Sequence, residues 1–138
     1  MTINSRFSNI NDMAIAEGFT FKFEDESNIK ADLLETFPYS GKKQTITYST
    51  KEFSAVCPFS GLPDYGIFEM NYIPNSCIIE LKSLKYYLFT YRNVGIYQEH
   101  ATHKIFVDLE SILNPQSLEI KLVYNTRGGI DTVTTIKS

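Results

Sequence analysis

Cys77-Ile78-Ile79-Glu80-Leu81-Lys82-Ser83-Leu84-Lys85-Tyr86-Tyr87-Leu88 changes its period part-way through. Cys77 to Glu80 is a short apolar run that suits a strand and ends on a carboxylate. Leu84, Tyr87, Leu88 and Tyr91 then fall at helical spacing, which predicts a helix from about Ser83 to Asn93, broken by Gly95. A strand that hands over to a helix at a charged boundary is the pivot from which the rest of the chain can be placed.

Upstream, Gln44 to Thr50 alternates and is rich in β-formers, which predicts a strand. Phe53 to Cys57 follows, and Pro58, Gly61 and Pro63 then force a loop. Ile67 to Ile73 alternates again and reads as a second strand, turned by Pro74 and Asn75. Downstream, Glu99 to Leu113 carries Ile105, Phe106, Leu109, Ile112 and Leu113 on one face, a second amphipathic helix ended by Asn114 and Pro115. Leu118 to Tyr124 predicts a strand, Arg127-Gly128-Gly129 a turn, and Ile130 to Ile136 a closing β-rich run. Strands on both sides of a helix pair argue for an α+β fold, an antiparallel sheet with the helices on one face. The edges of such a sheet need covering, and assembly through them into a closed ring would do so. Residues 1–30 show no steady period and read as an N-terminal arm, leaving 31–138 as a single domain.

The chain has 138 residues, 43% hydrophobic and 21% charged, an ordinary composition for one globular domain. A net charge of −3 gives no basic footprint for phosphate backbones, so direct nucleic-acid binding is not expected. No apolar run approaches the roughly 20 residues of a membrane span, and Met1 to Arg6 is polar, so a cytoplasmic location is expected. There, Cys57 and Cys77 are read as separate thiols.

Four segments could carry chemistry. Cys57-Pro58-Phe59-Ser60-Gly61-Leu62-Pro63-Asp64 ends a strand in a rigid loop and returns a carboxylate. It reads either as a nucleophilic thiol with an acid/base partner or as a core thiol with Asp64 capping a turn. Lys82 and Lys85 share a face near a helix start, where cations oppose the helix dipole. The pair suits a phosphate, or is simply a solvated face. Tyr97-Gln98-Glu99 opens the second helix; Glu99 suits either that helix start or the paired donors of a guanine-like edge, with Tyr97 stacking. Arg127-Gly128-Gly129 could grip phosphate, or be a plain hairpin turn. His100 and His103 do not make a metal site by themselves and read as surface or packing residues. No Gly-rich dinucleotide fingerprint follows a strand.

Taken together, these segments resemble the NADPH-dependent 7-cyano-7-deazaguanine (preQ0) reductases of queuosine biosynthesis, a tRNA-modification route, over about residues 36–130. Glu80-Leu81-Lys82-Ser83-Leu84-Lys85-Tyr86-Tyr87 fits the family's signature. Cys-Pro-x-x-Gly-x-Pro-Asp and Arg-Gly-Gly match in order. The resemblance implies the tunnelling fold in its single-module form, assembled as a homo-oligomer of stacked rings, a decamer. It implies reduction of the nitrile to the primary amine (preQ1) through a covalent thioimide on Cys57, with Asp64 as proton donor. Ile79, Glu80, Leu81, Gln98 and Glu99 would hold the deazaguanine. Leu81, Lys82, Lys85, Arg127 and Gly128 would lie at NADPH, consumed twice per turnover, and no metal is implied. Many relatives have His where this chain has Gln98, which cannot carry a proton at neutral pH. Two other readings share parts of this pattern: a related tunnelling-fold enzyme, amidine-forming or cyclohydrolase-like, and a non-catalytic purine-binding ring. A cyclohydrolase needs zinc ligands, and a binder has no need of Cys57.

Overall fold

The computed structural model describes residues 14–138, so the first part of the expected N-terminal arm lies outside the described residues. Among the described residues, two short 3-10 turns (Glu26–Asn28 and Ala31–Leu33) precede six strands and two α-helices in the order β1 (Thr36–Pro38), β2 (Ile46–Val56), β3 (Pro63–Ile73), β4 (Cys77–Ile79), α1 (Leu81–Phe89), α2 (Gln98–Leu113), β5 (Ser117–Tyr124) and β6 (Val133–Lys137). Strands β2-β3-β5-β6 form a fully antiparallel four-stranded sheet, and β1 pairs with β4 in a two-stranded one. This is the α+β arrangement expected from periodicity.

The alternation of side chains decides which face is buried. In β3, Phe68, Met70 and Tyr72 point inward, and in β5 Leu118, Ile120, Leu122 and Tyr124 do the same. They pack with Ala101, Ile105 and Leu109 of α2 and with Leu84, Tyr87 and Leu88 of α1 in one core. Each fully buried side chain of this size contributes roughly 1.5–3 kcal/mol over its exposed state. The opposite face is polar: Thr47 donates to Asn71 at 2.5 Å, Asn71 to Glu119 at 3.5 Å, and Lys121 stands 3.9 Å from Glu69. Both edges of the large sheet, β2 and β6, lack a neighbouring strand among the described residues.

Several boundaries differ from the sequence reading, each for a local reason. β3 begins at Pro63, whose missing N–H is harmless at the first position of a strand, opposite Val56. The ladder of β2 continues through Phe53 to Val56 after a register shift between Thr50 and Phe53. α1 starts at Leu81 because Glu80 caps it, accepting from the amides of Lys82 (2.9 Å) and Ser83 (2.6 Å). Helix α1 stops at Phe89, and the buried Tyr91 is presented by the turn that follows. Residues 21–34 are not loose: Ile29 and Leu34 are buried, and Glu24 bridges Val94.

Candidate active site

The β2–β3 hairpin builds the first half of the site. Ala55 pairs with Asp64 and Val56 with Pro63, so the loop 57–62 closes on a short neck. Inside it, Cys57 N–H donates to Leu62 O at 2.9 Å and Gly61 N–H to Cys57 O at 2.9 Å. Cys57 is half-buried and Asp64 is buried at 4% exposure. The hairpin register sets Cys57 and Asp64 at the two ends of one loop, as their spacing in the sequence implies.

The second half comes from the β5–β6 turn. Arg127 and Ile130 exchange both backbone hydrogen bonds across Gly128 and Gly129, whose φ values of 57° and 76° suit a two-residue hairpin turn and disfavour any other residue. Next to the strand pair Gly66–Tyr124, this turn delivers Arg127 Nη1 to within 2.5 Å of Asp64 Oδ1. No N–H points along that contact well enough to be a hydrogen bond, so Oδ1 is buried with a cation beside it but no aligned donor.

These surroundings set the protonation states. Burial pushes the Cys57 thiol up. The amide and hydroxyl of Ser60, the amide of Phe59 and the Arg127 guanidinium outweigh it and bring the pKa down to about 7. Burial also holds the Asp64 carboxyl above its ordinary range, and Arg127 opposes this only in part. The site therefore holds a thiol whose pKa is brought down to about 7 and a carboxyl held above its ordinary range, with Arg127 between them. Gln98 is on the same side, its carbonyl 3.4 Å from the Tyr124 hydroxyl. The Tyr124 hydroxyl is pushed up by burial and by the charges of Asp64 and Glu99. Tyr97 packs edge-on against Phe59 of the thiol loop with centroids 5.9 Å apart.

Glu80, Leu81, Lys82 and Lys85 lie elsewhere. Together with Tyr48 and Glu52 of β2 they line an open groove of about 960 Å³ that does not include Cys57, Asp64, Gln98, Glu99 or Arg127. The N-terminal end of α1 is tied to the distal end of β3 through Ile79 N–H and the Tyr72 hydroxyl, 3.2 Å apart. Nine helical residues span about 13 Å, so the capped end of α1 is well removed from its other end. Ile79 is buried, Leu81 is 54% exposed, and Lys82 and Lys85 are exposed without an ion pair among the described residues. Gly128 is exposed at the turn. One copy thus assembles Cys57, Asp64 and Arg127 but keeps the lysine groove apart. Arg127 lies against Asp64 with its side chain 49% exposed. Sequence reasoning missed Ser60, whose only signal was a hydroxyl residue inside the Cys-Pro loop.

The crystal structure of the archaeosine synthase QueF-Like in its apo form superposes with a TM-score of 0.62 at 18% identity, covering 72% of this chain and 96% of that one. The chain therefore has the tunnelling fold. The family described as QueF-like protein matches residues 63–138. The NADPH-dependent 7-cyano-7-deazaguanine reductase of Thermotoga petrophila is 49% identical over 127 residues, 91% of this chain and 93% of that protein. The reductase of the same name from Caldicellulosiruptor bescii is 48% identical over 106 residues, covering 75% and 81%. The chain belongs to the QueF-like family.

Proposed function

We propose that the chain reduces the nitrile of 7-cyano-7-deazaguanine to the primary amine with NADPH, as the names of its relatives describe, and so serves queuosine biosynthesis in the cytoplasm. The observation that carries this reading is the Cys57 loop, where a thiol of pKa about 7 and the buried Asp64 carboxyl both face Arg127. A nitrile carbon accepts hydride poorly. Attack by the Cys57 thiolate forms an S–C bond, and Asp64 gives its proton to the nitrile nitrogen, leaving a thioimide that is easier to reduce. NADPH would supply a hydride in each of two reductions, and the second proton that the amine nitrogen needs would come from solvent through Asp64. Between the two reductions the C–S bond breaks, the electron pair returns to Cys57 and an imine remains. The thiolate's low pKa suits this second role, since a stable thiolate leaves readily.

Glu99 and Gln98 face the purine-like edge in this reading. A carboxylate paired with ring N–H donors rejects analogues that lack them, by roughly 10⁴-fold in well-built sites. The groove beside α1 fits a phosphate-bearing cofactor: Lys82 and Lys85 are exposed cations on one rim. Because one copy keeps this groove apart from Cys57, the complete site forms between neighbouring copies. The unpaired edges of β2 and β6 are the surfaces through which they would join into stacked rings. The test is direct: mix the protein with 7-cyano-7-deazaguanine and NADPH and follow cofactor absorbance. No oxidation above background overturns the reading.

A further inference from the structure

The segment Phe21–Glu24, which the sequence reading left in a periodless arm, runs against the thiol loop. Phe21 N–H donates to Ser60 O at 2.8 Å. The peptide that carries this carbonyl also carries the Gly61 N–H, which donates to Cys57 O at 2.9 Å. That one peptide is therefore gripped from both sides, by Phe21 outside the loop and by Cys57 within it. Approach here is backbone to backbone: a Cβ on Gly61, whose φ is +72°, would stand 2.3 Å from the Phe21 carbonyl oxygen. Only glycine admits the segment.

Three residues later the same segment holds the other side of the loop. Glu24 N–H donates to Asn93 O at 2.7 Å, and Gly95 N–H to Glu24 O at 3.0 Å. The Val94–Gly95 stretch so fixed in turn pairs with Val56, the residue before Cys57: Val56 N–H donates to Val94 O at 3.0 Å and Ile96 N–H to Val56 O at 3.2 Å. The ring of Phe21 is 52% exposed, so Phe21 holds the loop mainly through its backbone, while the Phe23 ring packs on Gly95, where a Cβ would stand 2.3 Å from it.

We propose that Phe21–Glu24 is a positioning segment for the reaction, its Phe21 amide fixing the Ser60–Gly61 peptide and, through the Gly61–Cys57 hydrogen bond, the loop that carries the Cys57 thiol. The consequence for turnover rests on Cys57 being the nucleophile, but the positioning itself is read without substrate. The charged groups at the sulfur are Arg127 from the β5–β6 turn and, behind it, Asp64 of β3; neither hydrogen-bonds to the segment.

The experiment is alkylation of Cys57 by iodoacetamide across pH, followed by peptide mass spectrometry, which separates Cys57 from Cys77. The wild-type rate should reach half its maximum near pH 7. Phe21→Pro removes the amide donor and should slow alkylation about threefold at pH 7 while leaving the rate at pH 10 unchanged, where the thiol is ionised in either protein. Phe21→Leu keeps the donor and should restore the wild-type profile. A wild-type profile in Phe21→Pro, or an equal shift in Phe21→Leu, overturns the proposal, whatever either does to melting temperature. Hydrogen exchange on the wild-type protein gives a check independent of any variant's folding. The Phe21 amide should be protected like that of Gly61, and exchange at the rate of an open chain contradicts the hold.

Discussion

Arg127→Ala gives the sharpest stability prediction, because the loss depends on pH. Asp64 is buried and Arg127 Nη1 is the cation beside it at 2.5 Å. Two unit charges whose centres lie about 4 Å apart attract by about 4 kcal/mol at an effective dielectric of 20 and about 1 kcal/mol in water. The Arg127 side chain is 49% exposed, so screening places the interaction between these limits, about 2 kcal/mol. Burial already raises the folded carboxyl pKa above 3.8, and losing the cation raises it further. A carboxyl whose folded pKa is raised makes the fold less stable as pH rises from the unfolded value through the folded one. In Arg127→Ala that decline is deeper and continues to higher pH. Below pH 3.8 the carboxyl is protonated in both proteins and the penalty through Asp64 vanishes. At about 2.1 cal/mol/K per residue over 138 residues, 2 kcal/mol corresponds to a loss of roughly 7 °C in melting temperature at pH 8. Differential scanning calorimetry at pH 8 and pH 3.5, at one protein concentration, reads the contrast. Equal losses at the two pH values refute the ion-pair argument and leave only lost packing of the arginine stem.

Cys57→Ala should abolish the mass increase of a covalent adduct with 7-cyano-7-deazaguanine in intact mass spectrometry; an adduct that persists would move the nucleophile to Cys77. Lys82→Ala and Lys85→Ala should each raise the KM for NADPH roughly tenfold, from about 1.5 kcal/mol per charge-assisted bond, with the KM for the nitrile unchanged. Steady-state kinetics with each substrate varied separates the two, and an unchanged NADPH KM would empty the groove of its assigned role. Gly129→Ala should destabilise by about 1–2 kcal/mol through its φ of +76° alone, since its Cβ would meet nothing within 4 Å; urea unfolding measures this, and a neutral outcome would contradict the turn geometry. Glu80→Ala should cost about 1 kcal/mol by uncapping α1, and Glu80→Gln, which keeps an acceptor, should cost less in the same assay.

The elements legible in the sequence were those carried by local period. The switch at Cys77–Leu88, the alternation of Ile67–Ile73 and the apolar stripe of α2 each correspond to an element that forms. β1 was not legible, because three residues carry no period and Thr36–Pro38 become a strand only by pairing with β4. Cys57 and Asp64 could be coupled by spacing since both flank one hairpin loop. The Arg127–Asp64 pair could not, because it depends on the register of β3 with β5 across the sheet. Glu80 read as a ligand contact, yet its carboxylate is held by two amides of α1. Phe21 gave no signal at all: what it contributes is a backbone N–H, which every residue but proline carries.

The central claim is that Cys57 lets this chain pass four electrons to a nitrile. The most direct measurement counts NADPH consumed against primary amine formed from 7-cyano-7-deazaguanine, in the wild-type protein and in Cys57→Ala. The account predicts two NADPH per amine in the wild type and neither consumption nor product in the variant. Amine formed at an undiminished rate by Cys57→Ala, or no NADPH consumed by the wild type, would contradict it.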